Sequence, residues 1–171
     1  GRDVMVQAWY QGGISVFDFT DPANPVEIAY FDRGPSDGER LGAGGSWSVY
    51  WYNGAIVSSE IARGLDILEL EPSKYLSANE IAAAKSVKFD HFNVQGQQMF
   101  VWPATYSLAM AYVDQLDRSG EMPADHAAPA DERQNAFMNM SAHLDELARD
   151  NPASAETLTA LAGTVRELAK M

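Results

Sequence analysis

The chain has 171 residues, 46% of them hydrophobic and 11% aromatic, which is too apolar for a disordered segment and sufficient for a packed core. Its 24 acidic and 12 basic side chains give a formal charge of -12, so it repels phosphate backbones and anionic headgroups, and neither nucleic acid nor a membrane surface is an expected partner. The lack of cysteine removes disulfides, thiolate metal sites and cysteine nucleophiles together. No apolar run reaches transmembrane length and no signal peptide is visible. The sequence enters a strand pattern almost at once after Gly1, without an initial methionine. It reads as a fragment or processed chain, with any targeting segment upstream.

The first elements form one half of a repeat. VMVQAWYQGGISVFDFTDP, from Val4, aligns without a gap on AIVSSEIARGLDILELEP, from Ala55. Gly13 falls on Gly64, an offset of 51 residues, and Ile14, Val16 and Phe17 fall on Leu65, Ile67 and Leu68. Each copy reads as strand, glycine-bearing turn, strand, and a period of this size built from short strands is the signature of a β-propeller blade. Two unrelated hairpins in a β-sandwich are the alternative. After the first copy, Asp21-Pro22 and Asn24-Pro25 punctuate a turn, and Pro25 to Phe31 reads as an outer strand. Gly42-Ala43-Gly44-Gly45 has no following helix and no P-loop lysine, so it reads as a loop leading into the Trp47 strand.

The next segment, WSVYWYNG, ends in Asn53-Gly54, the preferred type I′ hairpin pair. That loop sets Trp51 opposite Ile56 and Tyr50 opposite Val57. Trp47, Val49 and Trp51 then share one face, and Tyr50 and Tyr52 the other. Both faces are apolar and both need cover, which neighbouring blades would supply. DFTDPANPVEIAYF, GSWSVYWYNG and IARGLDILEL together resemble the LVIVD-repeat proteins, a β-propeller family of exported bacterial and archaeal proteins. The resemblance covers roughly Val4 to Leu70 and matches last blades rather than a whole wheel. It implies a scaffold or recognition module, secreted, periplasmic or at the cell surface, and it names no reaction.

Beyond the second copy, Ser77-x-x-Glu80 is a capping box with Leu76 and Ile81 as a staple, which predicts a helix to about Val87. KSVKFDHFNVQGQQMFVW has some strand character and is a candidate to complete the last blade. From Pro103 the period turns helical, with Tyr106, Ala109, Val113 and Leu116 in one stripe ending near Gly120. GEMPADHAAPAD reads as a linker. Phe137, Met140, Leu144 and Leu147, then Leu158, Leu161, Val165 and Leu168, form matched stripes broken by Asp150-Asn151-Pro152, an antiparallel helical hairpin. The expected architecture is mainly β with an α-helical tail. Its parts are residues 1–75 as the last two propeller blades, 76–102 as a capping helix and connection, and 103–171 as the helical tail, either a helical hairpin or, with the Tyr106 helix added, a three-helix unit.

Candidate chemistry is sparse. His91, His126 and His143 share no metal-ligand spacing, and no catalytic fingerprint occurs. Asp32, Asp37 and Glu39, and Asp18 with Asp21, make acidic loops, but the spacing of a calcium-binding EF-hand is absent and solvated loops are the expected state. No catalytic residue, cofactor or metal site is assigned. Glu60, Arg63 and Asp66 are the polar set at the end of the second hairpin, where Arg63 can pair with either acid and pin the turn, or face a ligand. Phe137, Met140, Leu144 and Leu161 are the expected docking residues of the tail, toward the rest of the propeller or a protein partner. The functional expectation is a non-enzymatic binding or scaffold module. Its rival is the end of a propeller hydrolase or metal-dependent enzyme whose site lies upstream.

Overall fold

The computed structural model describes residues 2–96, 98–120 and 133–170, without the side chains of 133–137. The chain divides into two compact units, Arg2–Leu76 with Lys85–Phe100, and Ser77–Ala84 with Val101–Met171.

The first unit is built on six strands. β1 (Val4–Ala8), β2 (Ile14–Asp18) and β3 (Val26–Phe31) make one antiparallel sheet, and β4 (Ser46–Tyr52), β5 (Ala55–Glu60) and β6 (Gly64–Leu68) make a second. Local chemistry sets the turns. Asn53 and Gly54 have φ of 50° and 98°, the positive pair that a type I′ turn requires. The hairpin therefore has the expected register, with Tyr50 opposite Val57 and Trp51 opposite Ile56. At the β2–β3 turn the Asp21 carboxylate accepts from the Ala23 backbone at 3.0 Å and the Asn24 side chain at 2.7 Å. The bond from Asn24 leads in holding Asp21 below the usual carboxylate range. Trp47 departs from the expected face: the register shifts between Ser46 and Ser48, and this bulge turns Trp47 outward onto Tyr10, edge to face at 5.5 Å.

The sheets are joined where the Tyr10 and Ser46 backbones exchange hydrogen bonds of 3.1 and 2.9 Å. In the second sheet Ile56, Ser58 and Asp66 are buried on one face; in the first, Ile14, Val16 and Ile28 are buried, and so is Ser15 on the face opposite Ile14, where the Trp9 indole donates to its hydroxyl at 2.9 Å. The Arg33 guanidinium, just past β3, reaches Asp66 at 2.7 Å.

The expectation of propeller blades is overturned. The described residues hold two separate three-stranded sheets and four α-helices, a mixed α and β chain with no closed blade. The repeat aligns β1 with β5 and β2 with β6, but β3 has no counterpart after β6 and β4 none before β1. After Leu68 the chain passes Pro72 and enters the Ser77 capping box, so it leaves the sheet instead of adding a strand. The segment expected to complete the last blade carries one 3-10 turn, Val94–Gly96, and no strand among its described residues.

The second unit is helical. In α1 (Ala78–Ser86) the capping box forms in both directions, Glu80 N–H to Ser77 Oγ at 3.1 Å and Ser77 N–H to the Glu80 carboxylate at 2.8 Å. α2 (Tyr106–Ser119) is capped by Thr105, whose hydroxyl accepts from the Leu108 N–H at 3.1 Å, and ends at Gly120 with φ 75°. The buried stripe is Leu108, Ala111, Tyr112 and Leu116, the face packed against α3 and α4 core residues, and Tyr106, expected in the stripe, lies exposed. α3 (Arg133–Asp150) and α4 (Ala155–Leu168) run as the expected pair. Leu144, Leu158, Leu161 and Val165 pack with the α2 stripe and Ala83 into one core. Burial raises the Tyr112 phenol above its ordinary value, and Glu156 adds to the shift. The Ser141 hydroxyl donates to the Ala162 carbonyl at 3.0 Å, which satisfies a buried polar atom where the two helices approach.

Candidate functional site

The polar set at the β5–β6 turn is organised around Glu60. Its carboxylate accepts the backbone N–H groups of Gly45 at 2.5 Å, Ala62 at 3.0 Å and Arg63, and the Arg63 guanidinium lies 3.7 Å away. Burial pushes the carboxyl up, but the bonds from Gly45 and Arg63, the Arg63 charge and the Ala62 bond outweigh it and hold it below the usual range. Glu60 thus ties its own turn to the loop that enters β4. Arg63 belongs to this group. Asp66 does not: its partner is Arg33, whose guanidinium also lies over the Phe31 ring at 5.4 Å. The acid–base residues are saturated by one another and by backbone, which is a structural arrangement.

The tail residues lie elsewhere in role. Leu144 and Leu161 are each 1% exposed and sit inside the helical core. Met140 packs partly buried against that core. The Phe137 side chain and His126 lie outside the described residues, as does the linker from Glu121 to Asp131. His91 and His143 are exposed, and no cluster of three or more metal-ligating side chains occurs among the described residues. No helix of the described residues is long and apolar enough to cross a membrane. A shallow cavity of about 280 Å3 lies between Gln11 and the Pro35–Gly42 loop.

The most distinctive surface is the outer face of the second sheet. The register sets Tyr50, Val57 and Ile67 side by side across β4, β5 and β6, with Ser48, Ser59 and Leu65 in the next row. Tyr50, Leu65 and Ile67 are 42%, 64% and 66% exposed. No charged side chain falls on these two rows. Ser48 and Ser59 satisfy each other at 2.8 Å, so the surface offers contact area and almost no unmet polar demand. Near the hairpin end the Asn53 side chain exchanges hydrogen bonds with the Phe89 backbone at 2.9 and 2.7 Å. There Tyr52 stacks on Phe92 at 6.2 Å, so this margin is covered and the centre is not. Sequence reasoning assigned these residues to strands and recognised that both faces of the sheet need cover, but it did not single out Leu65 and Ile67. The signal was the apolar alternation of GLDIL. No protein-family model, curated protein or solved structure matches this chain.

Proposed function

We propose that the chain is a non-enzymatic protein-binding module that engages a partner through the outer face of β4–β5–β6. The observation that carries this reading is an uncharged row in which exposed Tyr50 and Ile67 flank half-buried Val57, with exposed Leu65 beside it. An antiparallel sheet keeps one polar, solvated face by default, and contiguous exposed apolar patches mark interaction sites. The titratable groups give the reading further support: the buried acids Glu60 and Asp66 are engaged in the fold. A photo-crosslinking residue at position 67, compared with one at exposed Glu146, tests it in cells producing the chain. A discrete adduct specific to position 67, lost when Leu65→Lys is added, is the expected result. Equal labelling from both positions, or an adduct indifferent to Leu65→Lys, overturns the proposal.

A further inference from the structure

Asn53-Gly54 is the only Asn-Gly pair of the sequence. Glycine has no side chain to shield its backbone nitrogen, so in such a pair that nitrogen can attack the asparagine side-chain carbonyl. In this structure the Asn53 amide is engaged on both sides. Its Nδ2 donates to the Phe89 carbonyl at 2.9 Å, and its Oδ1 accepts from the Phe89 N–H at 2.7 Å. A donor facing an acceptor and an acceptor facing a donor fix the orientation of the amide. The Tyr52 hydroxyl donates to the same Phe89 carbonyl at 3.2 Å, and Lys88 Nζ donates to the Asn53 carbonyl at 2.6 Å. The holding segment is anchored in turn. Val87 is buried, and Phe92, stacked on Tyr52, lies 5.4 Å from the Phe89 ring. The type I′ turn accounts for the residue pair through its two positive φ values. It does not account for an amide clamped by a segment 36 residues away.

We propose that Asn53-Gly54 is a latent self-modification site, closed by Phe89 and opened when the segment 88–92 lifts off the hairpin. Once the amide is free, the Gly54 nitrogen bonds to Asn53 Cγ and the Cγ–Nδ2 bond breaks. The Gly54 proton leaves with Nδ2 as ammonia. One water then opens the resulting five-membered succinimide at either carbonyl, giving aspartate or isoaspartate. No electrons are exchanged, and solvent water is the only co-reactant. Opening has to break both Phe89 bonds, which lowers the reactive fraction about 30-fold. The change is one-way. Neither product has the amide donor, so the Phe89 carbonyl is left without its partner, and isoaspartate also lengthens the backbone of a turn whose register is fixed. The segment is then no longer held, and the Tyr52 ring at the margin of the outer β4–β5–β6 face is uncovered.

Peptide mass spectrometry of the purified chain, aged in mildly alkaline buffer, reads amide-to-acid conversion at Asn53, and an isoaspartate assay verifies the succinimide route. The expected result is conversion about 30-fold slower in the native chain than in the same chain unfolded in urea. Phe89→Ala combined with Phe92→Ala loosens the segment without altering the turn. With its strands verified by circular dichroism, this double variant should recover most of the unfolded rate. Native conversion as fast as that of the unfolded chain overturns the proposal, and so does a folded double variant that ages no faster than wild type. Asn53→Asp reads the consequence without ageing, and it decides the matter if the double variant does not fold. Trypsin should cut this variant after Lys88 several-fold faster than wild type, and an unchanged cleavage rate would mean that the amide does not hold the segment.

Discussion

Gly45→Ala places a methyl group where the two sheets meet. Gly45 has φ +88°, and a Cβ built there would lie 1.9 Å from the Tyr10 carbonyl oxygen, 2.1 Å from its carbon and 2.4 Å from the Gln11 nitrogen. All three are backbone atoms, so no side chain can swing away and the strands must separate. The positive φ costs about 1–2 kcal/mol for an alanine. Loss of the two Tyr10–Ser46 hydrogen bonds adds about 1 kcal/mol each, for a total of about 3–4 kcal/mol. Gly64→Ala is the control. Its φ is +101° and no atom lies within 4 Å of the added Cβ, so it carries the conformational cost alone, about 1–2 kcal/mol. Urea unfolding followed by tryptophan fluorescence separates the two, because Trp9 and Trp47 flank the junction. With a slope of about 2 kcal/mol per molar, the alanine at position 45 should unfold about 1 M earlier than the one at position 64. Equal midpoints would mean that the bridge between the sheets contributes nothing and that the close approach at Tyr10 is not part of the folded unit.

The helical core gives a second expectation: Leu144→Ala or Leu161→Ala, each at a site 1% exposed, should cost about 2–5 kcal/mol, read as a lowered melting temperature of the helical signal. Glu60 gives a pH dependence. Its folded pKa lies below its ordinary 4.5, so its stabilisation is complete above about pH 4.5 and is lost as the pH falls through the folded value. Glu60→Gln should flatten that acid limb of the stability profile, and an unchanged limb would assign it to other carboxylates. Gly54→Val should cost about 1–3 kcal/mol, because φ is +98° and the added Cβ meets Lys85 Cγ at 3.0 Å; unchanged denaturant stability would remove the type I′ turn from the account.

What was legible in the sequence was local. Asn53-Gly54 determines its turn through the φ values those two residues accept, and the Ser77–Glu80 box through groups three positions apart. The hairpin register and the helical pair follow from such short-range rules. Partners chosen at long range were not legible. Asp66 pairs with Arg33, 33 residues earlier, although Arg63 stands nearer in the sequence. Arg63 instead pairs with Glu60, whose main work is to accept backbone N–H groups that no side-chain pattern reveals. The buried face of α2 was misplaced for a related reason, since it is chosen by the core residues of α3 and α4 that pack on Leu108, Tyr112 and Leu116.

The repeat shows the limit most sharply. Ile14 and Leu65, or Val16 and Ile67, are interchangeable as letters: apolar residues at the same position of the same motif. In the structure one of each pair is among the most buried side chains of the unit and the other is among its most exposed. Nothing within either copy distinguishes them. Burial of a strand face is set by what lies opposite, and that is decided by where the neighbouring sheet falls, here through the Tyr10–Ser46 bridge and the Arg33–Asp66 pair. A motif repeated twice leads a reader to expect a third sheet to supply the missing cover. The chain turns instead at Pro72 into a capped helix, and the face that the motif prepared for burial stays open. That open face is a property of the arrangement rather than of the letters, which is why a surface built from ordinary core residues is the strongest candidate for contact in this protein.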